Sequence, residues 1–404
     1  MKKISISKLK IGMFVEALDK PWLESPFPFQ GFLISTEDDV VTLASCCKYV
    51  YISSKEEPIE KAPIDNSIKK YSTHSIPDDD GKKTRFHGDH VYSDTRSLAE
   101  ELPDAREGHG RAEQLVNQIK LDIDKNRELN VDIAKDLVDV VAGSMIKNPE
   151  AMLFLNQLKT SNSLYYGHAL NTAIHMIAFG RHLCLPSDEL YIVGLGGLLM
   201  DIGQLKQPAN FKVKSNAKDM HVVYGEEILS QTPAIPEEVI QITAQHHERE
   251  DGTGFPRGLR GNQISTYARM AAIVDTYERQ ISQGFNYYTK PVSPFEALKH
   301  LWDLTRTWLN ATLVQQFAHC IGLFPVGSLI ELNTGEVAIV LTHSRTNRLL
   351  PTIMIVLDKD KRPYELPITL NLSDSQNTQG EKAYAIVLDL KPGTYGIDPK
   401  EFYL

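Results

Sequence analysis

The feature that most constrains this chain is the stretch AQHHEREDGTGFPRGLRGNQI, running from Ala244 to Ile264. It opens on two adjacent histidines, His246 and His247. Burying neighbouring imidazoles demands polar partners, and a metal ion is one partner that satisfies both. Gly252, Gly254, Gly258 and Gly261 then fall within ten residues, so the loop must bend sharply or lie close to another surface. Pro236-Glu237-Glu238 opens a helix upstream, and that helix delivers the two histidines.

A length of 404 residues leaves room for two or three domains at about 150 residues each. The formal net charge of −9 argues against a nucleic-acid polymer as partner. A small anion is still admissible, because one pocket can be locally positive. The four cysteines, Cys46, Cys47, Cys184 and Cys320, show no metal-ligand or redox spacing. Such usage fits a reducing, cytoplasmic setting. The opening MKKISISKLKIGMF lacks the long apolar core of a signal peptide, and no apolar run approaches the ~20 residues needed to span a bilayer. Membrane insertion is not expected.

Residues 1–62 read as a small β-rich domain. Strand candidates lie in Lys3–Val15, Gly31–Ile34, Val40–Leu43 and Tyr49–Ile52. Residues 63–104 are polar and read as a flexible linker. Their histidines, His74, His87 and His90, read as solvated rather than metal-binding. Residues 105–325 carry helical periodicity, with the core of that domain at about 150–325. One helix, about Ser163 to Leu183, places His168 on a face with Thr172 and His175. The next has Ser187 as its expected N-cap. It is apolar through YIVGLGGLLMDI, with Asp201 as the acidic group at its end. A buried carboxylate there needs a cation or hydrogen-bond donors. His221 opens another helix, and Asp275 lies on one spanning about Tyr267 to Tyr277. Periodicity then turns to strands at Ser328–Leu332, Val337–Leu341, Thr352–Val356 and Ala383–Val387. Residues 326–404 therefore read as a β-rich C-terminal extension.

The loop motif resembles that of the HD-GYP family, HHExxDGxGYPxGLxGxxI, with Phe255 where the family has tyrosine. The first sixty residues, with L-K-x-G-M-F-V and then P-W, P-F and a Gly-Phe strand, are similar to the uncharacterised domain often found before HD-GYP. FPVGSLIELNTGEVAIV is similar to the extension that follows many HD-GYP cores. The resemblance implies an all-α HD-domain core between β-rich ends. It also implies a metal-dependent phosphodiesterase of bacterial cyclic di-GMP signalling, opening the dinucleotide to pGpG or GMP.

Carried over residue by residue, the family's metal ligands fall on His168, Asp201, His221, His246, His247 and Asp275. His168, Asp201 and Asp275 would be the catalytic, proximal set; Asp201 with the three later histidines would be the distal set. The family's LLHDIGK is here Leu198-Leu199-Met200-Asp201-Ile202-Gly203-Gln204, so the histidine has become Met200 and the lysine Gln204. A thioether is a soft, neutral ligand, poorly matched to iron, manganese or magnesium. It is also a good filler of apolar space. The family's arginine after the late aspartate falls on Gly284, in VDTYERQISQG, where the family often reads aDxYDALTS.

One ligand and two cationic phosphate contacts are thus missing together. The expected cofactor is a divalent metal, iron or manganese, as one ion or none. The favoured reading is a degenerate centre, impaired in hydrolysis, that acts by binding cyclic di-GMP or a protein. Gly254-Phe255-Pro256 is the expected partner-binding loop, since family members use its equivalent to contact diguanylate cyclases. The alternative is an active phosphodiesterase working from a reduced ligand set.

Overall fold

The computed structural model describes residues 2–10, 13–19, 32–34, 40, 43–44, 47–52, 76–77, 83–84, 88–124, 129–158, 164–206, 220–283, 291–343, 351–372, 384, 386–391 and 393–402. The chain divides into two compact units, Met1–Thr73 and His74–Leu404.

The first unit is built on a four-stranded antiparallel sheet. Its strands are β1 (Lys2–Ser5), β2 (Phe14–Leu18), β3 (Phe32–Leu33) and β4 (Tyr49–Ile52), in the order β1-β4-β2-β3. Val15, Leu18, Ile34 and Val50 supply its buried side chains. The strand expected at Val40–Leu43 is not formed: Val40, Leu43 and Ala44, the described residues there, are helical. Leu43 is buried, and its carbonyl accepts from Cys47 N at 2.8 Å, an i to i+4 bond that a strand cannot make.

The second unit begins with a short hairpin, β5 (Ile76–Pro77) against β6 (Lys83–Thr84). Ten helices follow among the described residues: α1 (Leu98–Asp124), α2 (Val131–Lys147), α3 (Pro149–Leu158), α4 (Leu164–His182), α5 (Ser187–Leu199), α6 (Met220–Gln231), α7 (Glu237–Gln245), α8 (Thr266–Gln283), α9 (Pro294–Leu304) and α10 (Ala311–Ile321). A five-stranded antiparallel sheet completes it. The strands are β7 (Leu329–Leu332), β8 (Val337–Thr342), β9 (Thr352–Leu357), β10 (Pro363–Asn371) and β11 (Ile386–Leu390), in the order β10-β9-β8-β7-β11. Its apolar face joins Leu329, Val337, Ile339, Val356, Leu357 and Leu390. No helix among the described residues is long and apolar enough to cross a membrane.

The expected linker needs correcting at its C-terminal end. Much of 63–104 lies outside the described residues, including His74 and His87, but residues 88–104 are docked on the helices. Gly88 N donates to Leu183 O at 2.8 Å, His90 N to Cys184 O at 3.1 Å and Tyr92 Oη to Leu185 O at 2.7 Å. Arg181 pairs with Asp94 at 2.6 Å. A Cβ on Gly88 would fall 2.0 Å from Cys184 O, so the segment closes in where side chains cannot. Helix α1 begins at Leu98 rather than at 105. Ser97 and Glu100 form a reciprocal cap: Ser97 N donates to Glu100 Oε2 at 2.8 Å, and Glu100 N to Ser97 Oγ at 3.3 Å. Pro103 lies inside the helix and disguises its start.

Two smaller expectations also shift. Pro186, not Ser187, is the N-cap of α5, and no side chain caps it. Strand β10 was not expected, because PYELPITLN is an edge strand with mostly exposed residues and two prolines.

Glycines set how closely the site-bearing elements approach. A Cβ on Gly197 would lie 2.9 Å from Thr172 O and 3.0 Å from Ala173 Cα, so α4 and α5 cross in near contact. Thr172 Oγ1 fastens that crossing by donating to Gly197 O at 2.7 Å. Gly203, two residues past Asp201, meets α6 more closely still: its Cβ would sit 1.9 Å from His221 O.

Candidate metal centre

Asp201 is the hinge of the centre. It stands two residues past the end of α5, is 3% exposed, and turns its two carboxylate oxygens to different neighbours. Oδ1 lies 3.2 Å from His221 Nε2 and 3.7 Å from His246 Nε2. Oδ2 lies 3.6 Å from His168 Nε2 and 3.2 Å from Arg279 Nη2. The fold thus brings together all six residues that the sequence singles out. Asp201, His221, His246 and His247 offer ligand atoms within 4.8 Å of one another, and so do His168, Asp201 and Asp275.

The distal set fits a single divalent cation. Ligands bound at roughly 2.1 Å to one ion sit about 3.0–3.5 Å apart. His221 Nε2 and His246 Nε2 are 3.4 Å apart, close to that spacing. His246 Nδ1 lies 2.9 Å from Thr243 O, which accepts its proton and leaves the Nε2 lone pair facing Asp201 and His221. Burial, and next the neighbouring His246, hold the His247 imidazole well below the usual histidine range. It is therefore neutral at pH 7, the form that ligates metal.

The proximal set is different. Met200 stands where the family motif has histidine. It is 1% exposed, and its N donates to Gly196 O at 2.9 Å, continuing the bonding of α5. His168 Nε2 lies 2.9 Å from Asp275 Oδ1, while its buried Nδ1 has no hydrogen-bond partner among the described residues. That geometry assigns the proton to Nε2, so that His168 donates to Asp275. Arg279 Nε lies 2.7 Å from Asp275 Oδ1, so one guanidinium reaches both carboxylates. Burial alone would raise the pKa of Asp201 and Asp275. The Arg279 charge foremost, with the histidines, reverses that and holds both well below the ordinary carboxylate range. In this arrangement Arg279 already engages the two carboxylates that a second divalent ion would need.

The glycine-rich loop is held from inside by Glu248, which is 2% exposed. Its Oε1 accepts from Arg257 N at 2.8 Å and its Oε2 from Leu259 N at 2.9 Å. Gly254 passes so close to the end of the histidine pair that a Cβ would lie 2.5 Å from His247 O. Phe255 is half-buried, its ring 4.7 Å from that of His247, and Pro256 is exposed. Arg257 pairs with Glu226 at the surface. Gln204 is half-buried and Lys206, two residues on, is exposed. Gly284 lies outside the described residues.

Sequence reasoning missed Arg279 and Glu248. The signal for Arg279 was available: VDTYERQIS set against aDxYDALTS places arginine where the motif has alanine. For Glu248 the spacing gives no hint that its partners are backbone amides nine and eleven residues on.

Comparison with known proteins shows the family. Residues 156–313 match the family described as HD domain, and residues 1–134 match the domain of unknown function DUF3391. The chain is 30% identical over 369 residues to the cyclic di-GMP phosphodiesterase PA4108 of Pseudomonas aeruginosa, covering 88% of this chain and 85% of that protein. It is 23% identical over 210 residues to the cyclic di-GMP phosphodiesterase PdeB of Borreliella burgdorferi, covering 50% of this chain and 55% of that protein. Among solved structures, Bd1817, an HD-GYP-type protein from Bdellovibrio bacteriovorus, aligns over 79% of this chain and 98% of that chain, with a TM-score of 0.45 and 17% identity. With a DUF3391 domain ahead of an HD domain, and this similarity along most of its length to a named cyclic di-GMP phosphodiesterase, the chain belongs to the HD-GYP family.

Proposed function

We propose that this HD-GYP protein serves bacterial cyclic di-GMP signalling from a metal centre reduced to its distal half, and that it acts by binding more than by hydrolysis. The observation that carries this reading is Met200: a buried thioether occupies the position of the motif's histidine, beside an Asp201 whose other oxygen still faces two histidines. Asp201, His221, His246 and His247 would hold one divalent ion, with iron or manganese suited to such nitrogen and oxygen donors. A bound ion would supply Lewis acidity toward a phosphate oxygen. Around it, the Thr243 carbonyl fixes the His246 tautomer, and Glu248 keeps the loop folded over His247. Losing one ligand of a two-ion hydrolase removes several kcal/mol of transition-state stabilisation. Binding of the dinucleotide phosphates does not carry that requirement.

Two kinds of partner suit the surface. The dinucleotide suits the pocket, as the substrates named for the relatives suggest. A protein, a diguanylate cyclase by family analogy, suits the loop, where Gly254, Phe255 and Pro256 present an apolar tip. The intact distal set favours the second reading, an active phosphodiesterase, to the extent that one ion suffices.

The deciding experiment measures elemental metal content and cyclic di-GMP turnover on the same purified sample, alongside calorimetric titration with the dinucleotide. Bound iron or manganese, a binding heat and little or no turnover are expected. Robust hydrolysis by the unaltered chain overturns the binding role in favour of the enzyme. A titration without heat, together with no cyclase captured in a pull-down that Phe255→Ala abolishes, removes the binding role altogether.

A further inference from the structure

The sequence reading counts what the proximal half has lost; the structure shows what it has gained. Arg279 sits one helical turn after Asp275 on α8, the spacing at which side chains meet on a helix face. Its Nε is 2.7 Å from Asp275 Oδ1 and its Nη2 is 3.2 Å from Asp201 Oδ2. These are the two carboxylates that a proximal ion would require. A guanidinium is planar, carries five donors and keeps its proton at any pH a protein survives. Its fork of donors lets one side chain bridge the two acids, and its charge cannot be titrated away to make room.

The third proximal residue is committed as well. His168 presents its Nε2 proton to Asp275, and among the described residues its Nδ1 lacks the acceptor that orients a metal-bound histidine, in contrast to His246 with Thr243 O. A methionine fills the place of the fourth. Each proximal group therefore already has an occupation, and Arg279 is the one that holds both carboxylates.

We infer that Arg279 is a built-in cation standing in for the proximal metal ion, so that the centre is mononuclear by construction and not by mere loss of a ligand. The inference rests on the reading of the distal set as a metal site, but its prediction concerns a different equivalent of metal.

The test is a Mn²⁺ titration of the metal-stripped full-length chain, followed by calorimetry and elemental analysis. The unaltered protein is expected to take one equivalent. Arg279→Ala and the more conservative Arg279→Gln are expected to gain a second, tightening the second site by about tenfold or more. That gained equivalent should vanish when Asp275→Asn is added and persist when His246→Ala is added. Met200→His, which restores the histidine but leaves Arg279 in place, should stay at one; Met200→His with Arg279→Ala should bind two. Two equivalents in the unaltered chain or in Met200→His would overturn the proposal, as would folded Arg279 variants whose stoichiometry does not change. Because Met200→His keeps the arginine, its result stands even if the Arg279 variants fail to fold. Absence of the first equivalent would count against the distal site, since the equivalent gained on removing Arg279 is scored separately.

Discussion

Glu248 shows how much of the loop depends on one side chain. Its carboxylate accepts from two backbone amides while almost fully buried. Hydrogen bonds to a charged acceptor are worth more than neutral ones. Glu248→Ala is therefore expected to cost about 2–4 kcal/mol in urea unfolding and to raise amide exchange at Arg257 and Leu259. Loss of stability without faster exchange there would show that the loop is held by something else. At this scale the sequence was informative about ligand-type residues, because histidine and aspartate in a fixed order have few reasons to recur. It was less informative about Glu248 and Arg279, since glutamate and arginine are ordinary on helix ends and surfaces; for Arg279 the one signal was an arginine at the motif's alanine position. Their importance comes from where the chain has already placed two acids and two amides.

Among the elements, the crossing of α6 over the turn after α5 is the tightest. Gly203→Ala would drive a methyl into the His221 carbonyl. The expected cost is about 3 kcal/mol or more, with weakened metal binding as His221 is pushed off Asp201; urea unfolding and Mn²⁺ titration check both. A second element pair, β11 with the N-terminus of α9, carries a charge that the fold resists. Burial outweighs the hydrogen bonds from Ser293 and from Phe295 N and pushes Asp389 up to about 6. A raised carboxyl pKa means its stabilising contribution is full below the unfolded value near 3.8 and is lost as pH rises through about 6. Asp389→Asn is thus expected to gain on the unaltered chain by about 2 kcal/mol between pH 4 and pH 7.5, read from paired denaturant curves. The helices were legible from apolar periodicity to within a few residues. The start of α1 was not, because Pro103 masks a capping box that Ser97 and Glu100 spell out. Strand β10 was not either, since an edge strand need not alternate.

For the molecule as a whole, the C-terminal sheet is continuous with the helices inside one compact unit. Phe154 on α3 packs with Val326, Leu98 and Leu102. His343 N donates to Glu150 Oε1 at 3.1 Å, and Gln157 Nε2 to Ser328 Oγ at 3.3 Å. A chain ending at residue 325 is therefore expected to lose cooperative unfolding and to bind an apolar dye, whereas a freely detachable extension would leave the helical transition sharp. The sequence marks 326–404 as a change of periodicity, yet nothing in its pattern says which helix it rests upon; that is decided by a few side chains of α3. The single turn of α8 separating Asp275 from Arg279 has a reach beyond the pocket. Part of the pocket's neutralisation is written into the chain and made at translation, not collected from the surroundings. On the proposed one-ion reading, a cell starved of transition metals would still assemble that half in full, and the shortage would act only where Asp201 meets the three histidines.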